Sequence, residues 1–273
     1  MGYLDTLSQE QKDNIAIITD EAKKAGITNP MAIAGMLAII SKESSFVPKS
    51  ERDYSNTSNA RIRKVFGSRV PASDSELNSL KANPKAFFDR IYGGRYGNAS
   101  DEGYKYRGRG LNQITFKGNY ETYKDLTGID IVSNPEKLMD VRVAAKVAAQ
   151  FAKRNIASLK SKGKLSLYNA SNINDFKTTR DSTLAMYHAN AGTGKSNSYI
   201  FNLEKNDPYG GMTRALNRVN DLLKASATYT VDFVKKKPLL TVLITAAVVT
   251  SIFFIVKYSG IGKKNKVINK IVN

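Results

Sequence analysis

The chain has 273 residues and a formal net charge of +18, with no cysteine, no tryptophan and a single histidine, His188. This composition excludes disulfides, thiol chemistry and a zinc site built from several histidines, and we expect His188 to be structural rather than catalytic. The positive charge favours a polyanionic partner, such as a cell wall or an anionic lipid surface. No recognisable nucleic-acid-binding motif is present, so we expect no nucleic-acid partner.

Two helix-start signals lie near the N-terminus. Ser8 and Gln11 have the spacing of a capping box and predict a helix that ends near Gly26. Asn29 followed by Pro30 predicts the start of a second helix, because Asn caps free N–H groups and Pro suits the first helical position. This second segment is apolar on nearly every face, which predicts a buried helix.

Glu43 ends this apolar helix in the stretch "KESSF". It lies three residues after Ile40, four after Ile39 and seven after Met36, which are same-face spacings in a helix. A carboxyl group that is partly withdrawn from water suits the general acid of a glycosidase. The alternative is a glutamate in the last turn that simply reaches solvent.

Helical segments continue along most of the chain. The pattern predicts helices within residues 55–66, 73–82, 83–92, 134–155, 175–192 and 210–223. Residues 93–120 are rich in Gly and aromatic residues and lack helical periodicity, so we expect a long loop or a short irregular sheet there. The fold class predicted is therefore mainly α, with one long structured loop that we expect to be functional.

The central loop carries side chains that suit a sugar polymer. Tyr, Asn, Gln and Thr supply hydrogen bonds and flat faces, and the alternating Gly and Arg of "YRGRG" allow a close backbone approach. Each residue alone is also compatible with a solvated loop. Their density favours a binding surface.

Three segments resemble the family 19 glycoside hydrolases, the plant-type chitinases and their relatives among bacteriophage lysozymes and endolysins. These segments are "KESSF" with the following "SERDYSNTSNARIRKVFGSRV", then "YGGRYGN" with "DEGYKYRGRGLNQITFKGNY", and finally "YHANAGTGK". The resemblance covers roughly residues 30 to 195. It implies a lysozyme-superfamily fold with a cleft, and cleavage of β-1,4 bonds beside N-acetylated sugars.

The resemblance also implies roles for individual residues. Glu43 matches the catalytic acid, Glu51 matches the second acid, and Thr115 matches a residue near the attacking water. The implied mechanism is inversion of configuration, without a metal or cofactor. We expect six further residues to bind substrate: Tyr106, Arg109, Gln113, Asn119, Tyr120 and Asn190.

Two departures from the family pattern affect this assignment. Lys42 precedes the acid where the family often has His, and Ser44 and Ser45 follow it where the family has Gly. The connection from Glu43 to Glu51 is also shorter than in many relatives. The role of Glu51 as base therefore depends on the resemblance more heavily than the role of Glu43, and a water held by Thr115 is an alternative.

The C-terminal segment predicts a membrane anchor. From Leu239 to Val256 the sequence has 18 residues without a charge, about 27 Å as a helix, with lysines on both sides. A buried globular helix is the alternative. We expect a catalytic domain over residues 1–225, a basic stalk over 226–238, a transmembrane helix over 239–257 and a basic tail over 258–273, with the membrane orientation left open.

These features predict a membrane-anchored peptidoglycan hydrolase, a phage lytic enzyme located in a virion membrane or the host bacterial membrane. Two alternatives remain from the sequence. One is a chitinase, because the motifs do not separate chitin from peptidoglycan. The other is a non-catalytic, membrane-tethered wall-binding or structural virion protein on the same fold.

Overall fold

The computed structural model describes residues 2–207 and 210–236 and is mainly α-helical, which confirms the mainly α prediction and fits a lysozyme-like fold. The α-helices of this described part are α1 (Gln9–Lys24), α2 (Pro30–Glu43), α3 (Asn59–Phe66), α4 (Asp74–Ala82), α5 (Pro84–Tyr92), α6 (Lys117–Thr127), α7 (Val141–Ser161), α8 (Thr179–Ala191), α9 (Asn197–Lys205) and α10 (Gly211–Lys236). Short 3₁₀ helices occupy Tyr3–Thr6, Gly67–Arg69, Pro135–Met139 and Leu165–Tyr168.

A two-stranded antiparallel sheet pairs the segment that follows α2 with the central loop. Strand β1 (Lys49–Ser50) pairs with strand β2 (Arg109–Gly110), with Lys49 opposite Gly110 and Ser50 opposite Arg109. Of the long loop or short irregular sheet expected within residues 93–120, the structure has one strand, β2, and its partner β1 lies outside that range. Helix α6 begins inside the same segment, at Lys117, where the sequence pattern did not predict a helix.

Side-chain caps begin the first two helices as the sequence predicts. Ser8 and Gln11 form a reciprocal capping box at α1. The Asn29 Oδ1 atom accepts hydrogen bonds from the backbone N–H groups of Met31 and Ala32 at 2.8 and 3.2 Å. The Asn29 side-chain amide also donates to backbone carbonyls that precede α8, so this cap ties α2 to a distant part of the chain.

Helix α2 packs most extensively against α8, and a glycine permits their closest approach. A Cβ atom at Gly35 would lie 2.8 Å from the Ser182 Oγ atom and 2.9 Å from its carbonyl carbon, so no larger residue fits there without a shift. Eight residues farther along each helix, the Asn190 side chain donates to Glu43. Because both contacts advance in the same direction, α2 and α8 run side by side in parallel.

Three clusters of buried side chains hold the described chain together. The largest surrounds α2 and draws on α1, α7 and α8, together with buried residues of α9 and α10. A second cluster is formed by α3, α4 and α5 around Phe66, Phe87 and Phe88. A third packs Tyr106, Tyr120 and Tyr123 of the central loop and α6 against α7. Predicted site residues lie on elements of the first and third clusters, and the second cluster supplies Tyr54 and Tyr92 as contacts of Glu51.

The link between α2 and β1 turns sharply. Ser45 and Phe46 both have positive φ values, 53° and 66°, a region that side chains other than Gly rarely adopt. Two residues of α1 hold this turn: Gln11 donates to the Ser45 carbonyl oxygen and Asn14 donates to the Phe46 carbonyl oxygen, each at 3.0 Å. The Phe46 side chain is fully buried in the main cluster, and this burial fixes where the chain leaves α2.

The structure contradicts the transmembrane part of the predicted fold. Among the described residues, no helix combines the length and apolar character needed to cross a membrane. The longest, α10, has 26 residues but carries charged side chains along its described length, including Arg214, Arg218 and Asp221. By this finding, the predicted transmembrane helix and the predicted membrane-anchored localisation are wrong. Residues 239–257, on which both predictions were based, lie outside the described residues.

The chain divides into two compact units, Met1–Ser226 and Ala227–Asn273. The predicted boundaries of the catalytic domain, stalk and basic tail stay predictions, and the basic tail over 258–273 lies outside the described residues. All predicted site residues belong to the first unit.

Replacing Gly35 with Ala tests the close approach of α2 and α8. The added Cβ would meet the backbone of Ser182 as well as its side chain, so we expect a loss of about 1–3 kcal/mol of unfolding free energy, as overpacking of a core typically costs. Urea unfolding of the full chain measures it. Gly194→Ala is the matched control, because no atom lies within 4 Å of the added Cβ; equal effects of the two substitutions would contradict the packing constraint.

Candidate active site

Glu43 is the last residue of α2, and its side chain is about one-fifth exposed. Its Oε1 atom accepts a hydrogen bond from the Asn190 side-chain amide at 2.9 Å. The same oxygen is 2.5 Å from the Lys42 ammonium nitrogen. The predicted acid and the predicted binding residue Asn190 are thus in direct contact.

Lys42 is enclosed rather than extended into solvent. Its ammonium nitrogen lies 5.0 Å from the centre of the Tyr187 ring. A Cβ atom at Gly211, the first residue of α10, would lie 3.0 Å from the Lys42 Cε atom. A lysine held between an aromatic ring, a helix start and the acid Glu43 therefore stands at the position where the sequence departs from the family pattern.

Glu51 follows β1 directly and is held by three donors. The hydroxyl groups of Tyr54 and Tyr92 donate to its Oε1 atom, each at 2.9 Å, and the Gly108 N–H donates to its Oε2 atom at 3.1 Å. The Glu51 backbone N–H in turn donates to the Gly108 carbonyl oxygen at 2.7 Å. Three hydrogen bonds fix the position and orientation of this carboxyl group, as a general base requires.

The two tyrosines remain hydrogen-bond donors at neutral pH. Burial raises the pKa of the Tyr54 hydroxyl and the pKa of the Tyr92 hydroxyl well above their ordinary values, and the nearby Glu51 charge raises both further. Their rings belong to the aromatic cluster of α3–α5, where Tyr54 stacks on Phe87 at 5.0 Å between ring centres. The carboxyl group of Glu51 is therefore attached to a packed part of the fold.

Gln113, Thr115 and Asn119 form a connected set beside Glu51. A Cβ atom at Gly108 would lie 3.1 Å from the Gln113 Oε1 atom and 3.2 Å from the Glu51 Oε2 atom, so these side chains are neighbours. Thr115 donates its hydroxyl proton to the Gln113 carbonyl oxygen at 3.1 Å, which leaves the hydroxyl oxygen able to accept from water. The exposed Asn119 side chain donates to the Thr115 carbonyl oxygen at 2.7 Å.

Three predicted substrate-binding residues are buried beneath this set. Tyr106, Arg109 and Tyr120 are 1%, 3% and 0% exposed. Arg109 forms an ion pair with Glu136 at 2.7 Å, and the Tyr120 hydroxyl donates to the Arg107 carbonyl oxygen at 2.9 Å. Burial raises the pKa of Tyr120 to about 12. These contacts favour a role in supporting the loop over direct contact with a ligand.

The structure therefore brings the predicted residues together in two groups. Glu43 contacts Asn190, whereas Glu51 neighbours Gln113, which is hydrogen-bonded to Thr115, and Asn119 is hydrogen-bonded to Thr115 in turn. Sequence reasoning missed the tyrosines that hold Glu51: Tyr54 is only three residues away, but Tyr92 is 41 residues away and has no local signal. No group of three or more His, Asp or Glu suited to hold a metal ion occurs among the described residues.

His188 lies on α8 but makes only internal contacts. It is fully buried, with its Nε2 atom 3.0 Å from the Lys195 carbonyl oxygen and its Nδ1 atom 2.8 Å from the Tyr168 hydroxyl. A neutral ring that donates through Nε2 and accepts through Nδ1 satisfies both partners. Burial lowers the pKa of His188, in keeping with a neutral structural residue.

The sequence of the chain is similar to that of a known protein. No protein-family model matches the chain. The chain is similar to a glycosyl hydrolase family 19 domain-containing protein of Haemophilus influenzae, at 38% identity over 120 residues. The match covers 42% of this chain and 58% of that protein, so the chain spans little more than half of its relative's length.

The buried His188 predicts a pH dependence of folding stability. Its pKa is lower in the folded chain than in the unfolded chain, so its stabilising contribution is present above the unfolded value of about 6.5 and is lost as the pH falls below it. We expect His188→Gln, which cannot titrate, to show a smaller loss of unfolding free energy than the wild type between pH 7.5 and 5. Urea unfolding at both pH values measures this, and identical losses in the two proteins would exclude the effect.

Proposed function

We propose that this chain is a glycoside hydrolase that cleaves β-1,4 bonds beside N-acetylated sugars, with bacterial peptidoglycan as its substrate. The observation that carries this proposal is the pair Glu43 and Glu51, two partly buried carboxyl groups on different elements, each fixed by hydrogen-bond donors. The similarity to a protein named for a family 19 glycosyl hydrolase domain supports the same reaction class.

In the proposed mechanism, Glu43 protonates the leaving glycosidic oxygen. Asn190 and Lys42 both occupy its Oε1 atom, and the Oε2 atom has no hydrogen bond among the described residues. The acidic proton would therefore reside on Oε2, the oxygen that can turn toward a substrate. Asn190 fixes the carboxyl plane, which is the positioning a general acid requires.

Lys42 places a constraint on this mechanism. A general acid must present its proton to the leaving oxygen, whereas the contact with the Lys42 ammonium group engages the Glu43 carboxyl group in another interaction. We propose that substrate entry separates Lys42 from the Oε1 atom of Glu43 and frees the carboxyl group to face the leaving oxygen. The Tyr187 ring, already beside Lys42, is an alternative partner for the displaced ammonium group.

Glu51 and Thr115 act on the water in this proposal. Glu51, held by its three hydrogen-bond donors, takes a proton from the water, while the Thr115 hydroxyl group orients that water. Attack from the face opposite to Glu43 inverts the configuration at the sugar carbon. Inverting enzymes need carboxyl groups about 6.5–9.5 Å apart, so that a water fits between them.

Peptidoglycan is favoured over chitin by charge. The net charge of +18 suits a wall that bears anionic groups, whereas chitin is uncharged. The absence of cysteine and the likeness to phage-type segments are the grounds for the finer proposal of a phage lytic enzyme. A chitinase and a non-catalytic wall-binding protein are the alternatives, and hydrolysis of purified wall and of chitin by the full chain separates them.

Substituting the acid tests the reaction class. Glu43→Gln keeps an oxygen that can accept from Asn190 but cannot donate a carboxyl proton, so we expect the fold to persist and wall hydrolysis to fall about 10²-fold or more. A turbidity assay on purified peptidoglycan, with circular dichroism for folding, measures both. Glu10→Gln on the exposed side of α1 is the matched control and should retain activity. Normal wall clearing by folded Glu43→Gln would remove the assignment.

Substituting the base side distinguishes Glu51 from a water held by the loop. We expect Glu51→Gln to lower turnover strongly while leaving binding to the wall intact. Tyr54→Phe removes one of three donors to Glu51 and keeps the ring packing, so its effect should be smaller. If Glu51→Gln barely changes turnover while Thr115→Ala abolishes it, the loop and not Glu51 activates the water.

A further inference from the structure

An exposed aromatic residue stands beside the Glu51 side of the site. The Tyr96 side chain is 69% exposed, the highest value among the large hydrophobic side chains that are exposed in the described chain. It packs edge-on against the Phe116 ring at 4.8 Å between ring centres. We propose that Tyr96, Phe116 and Arg95, together the aromatic platform, bind a sugar ring of the glycan at a subsite beyond the bond that is cleaved.

The proposal rests on the proposed function and names a subsite of the same glycan. A lone exposed aromatic residue would need no explanation, since scattered hydrophobic residues are common on protein surfaces. Three further observations set the platform apart: the backbone conformation of its two aromatic residues, the fixation of its rings, and its continuity with Glu51.

Both aromatic residues have a positive φ value, a backbone conformation that residues other than glycine rarely adopt. The φ values are +46° for Tyr96 and +73° for Phe116. Holding residues other than glycine there costs of order 1–3 kcal/mol each, and such strain concentrates at functional sites. Phe116 also precedes α6 at the N-cap position and makes no side-chain capping hydrogen bond there.

The surrounding backbone holds the strained segments together. The Gly118 N–H donates to the Tyr96 carbonyl oxygen at 3.0 Å. Asn98 bridges the same two segments, because its side chain accepts from the Lys117 N–H at 2.8 Å and donates to the Tyr92 carbonyl oxygen at 2.9 Å. The loop that carries Tyr96 and the start of α6 therefore form one braced unit.

Arg95 fixes the two rings. Its guanidinium carbon lies 5.3 Å from the centre of each ring, and one of its nitrogens donates to the Ile91 carbonyl oxygen at 3.0 Å. Rings held in this way lose little conformational entropy when a ligand stacks on them. The aromatic platform is therefore preorganised for stacking against the flat face of a sugar ring.

The platform is continuous with the candidate site. Phe116 directly follows Thr115, and its ring lies 5.2 Å from the Tyr92 ring, whose hydroxyl donates to Glu51. Tyr96 is therefore connected to Glu51 through consecutive contacts with Phe116 and Tyr92. A polymer that enters the site continues past Glu51 toward this surface, which identifies the occupant as a farther sugar of the same chain.

Two substitutions test the platform on the full chain. Tyr96→Ala removes the exposed ring. Phe116→Gly removes the second ring. Because glycine adopts the φ value of this position without strain, the backbone conformation should persist and the substitution should add no backbone strain. Leu126→Ala, on α6 and 44% exposed, is the matched control outside the platform.

The measurements separate binding from chemistry. On long glycan strands freed of peptide, we expect each platform variant to raise KM about 3- to 10-fold with kcat near the wild-type value, as loss of an aromatic contact implies. On a disaccharide or trisaccharide of the same glycan, too short to reach the platform, KM should not change. In the Glu43→Gln background, Tyr96→Ala should weaken retention on insoluble peptidoglycan by a similar factor.

Failure of the platform and failure of the proposed function give different results in these measurements. An active wild type whose KM on long strands is unaffected by Tyr96→Ala and Phe116→Gly overturns the platform and leaves the hydrolase intact. Equal losses on short and long substrates, or losses in kcat alone, also overturn it, because they indicate a structural effect. If the wild type hydrolyses no glycan, the proposed function fails, and the retention measurement with and without Tyr96→Ala still decides the platform.

Discussion

The close packing of α2 against α8 is the constraint on which the candidate site depends. At Gly35 the helices approach too closely for a Cβ atom, and eight residues later the same pair of helices brings Glu43 to Asn190. A helix pair is stiff over this distance, so the separation set at Gly35 is carried to the carboxyl group. Glu43 is therefore positioned by the packing of the core, without an intervening loop.

The second carboxyl group is positioned by other means. Ser45 and Phe46 turn the chain after α2, and the buried Phe46 ring anchors that turn. The β1–β2 pairing then sets the backbone at Glu51 against Gly108, and two tyrosines of a separate aromatic cluster fix the carboxyl group. The two carboxyl groups thus belong to different packed clusters, an arrangement that suits a substrate lying between two walls.

Local rules account for much of what the sequence predicts. The caps at Ser8 and Asn29 and the buried helix that ends at Glu43 follow from short-range chemistry, and the structure confirms them. The burial of Arg109 and Tyr120 does not follow from such chemistry, because the sequence does not show whether a polar, aromatic loop turns these side chains inward. In the fold, Glu136 pairs with the Arg109 guanidinium group and a backbone carbonyl oxygen accepts from the Tyr120 hydroxyl group. The role of Tyr92 was equally hidden, since its partner is far away in the sequence.

The functional assignment combines a local signal with tertiary contacts. The sequence places Glu43 at the end of an apolar helix, but the contact with Asn190 and the enclosure of Lys42 depend on α8 and α10. Lys42 is the feature with the greatest chemical consequence that the resemblance did not explain. Its ammonium group engages the Oε1 atom of Glu43, and in the proposed mechanism this contact breaks when substrate binds.

The configuration of the first product tests the central claim most directly. In the proposed mechanism Glu43 donates a proton and Glu51 activates a water that attacks from the other face, so the anomeric carbon is inverted. Proton NMR of freshly cleaved β-1,4 glycan, recorded before the anomers equilibrate, should therefore show the α-anomer at the new reducing end. A first product in the β configuration would contradict the account, because retention requires a different use of Glu43 and Glu51.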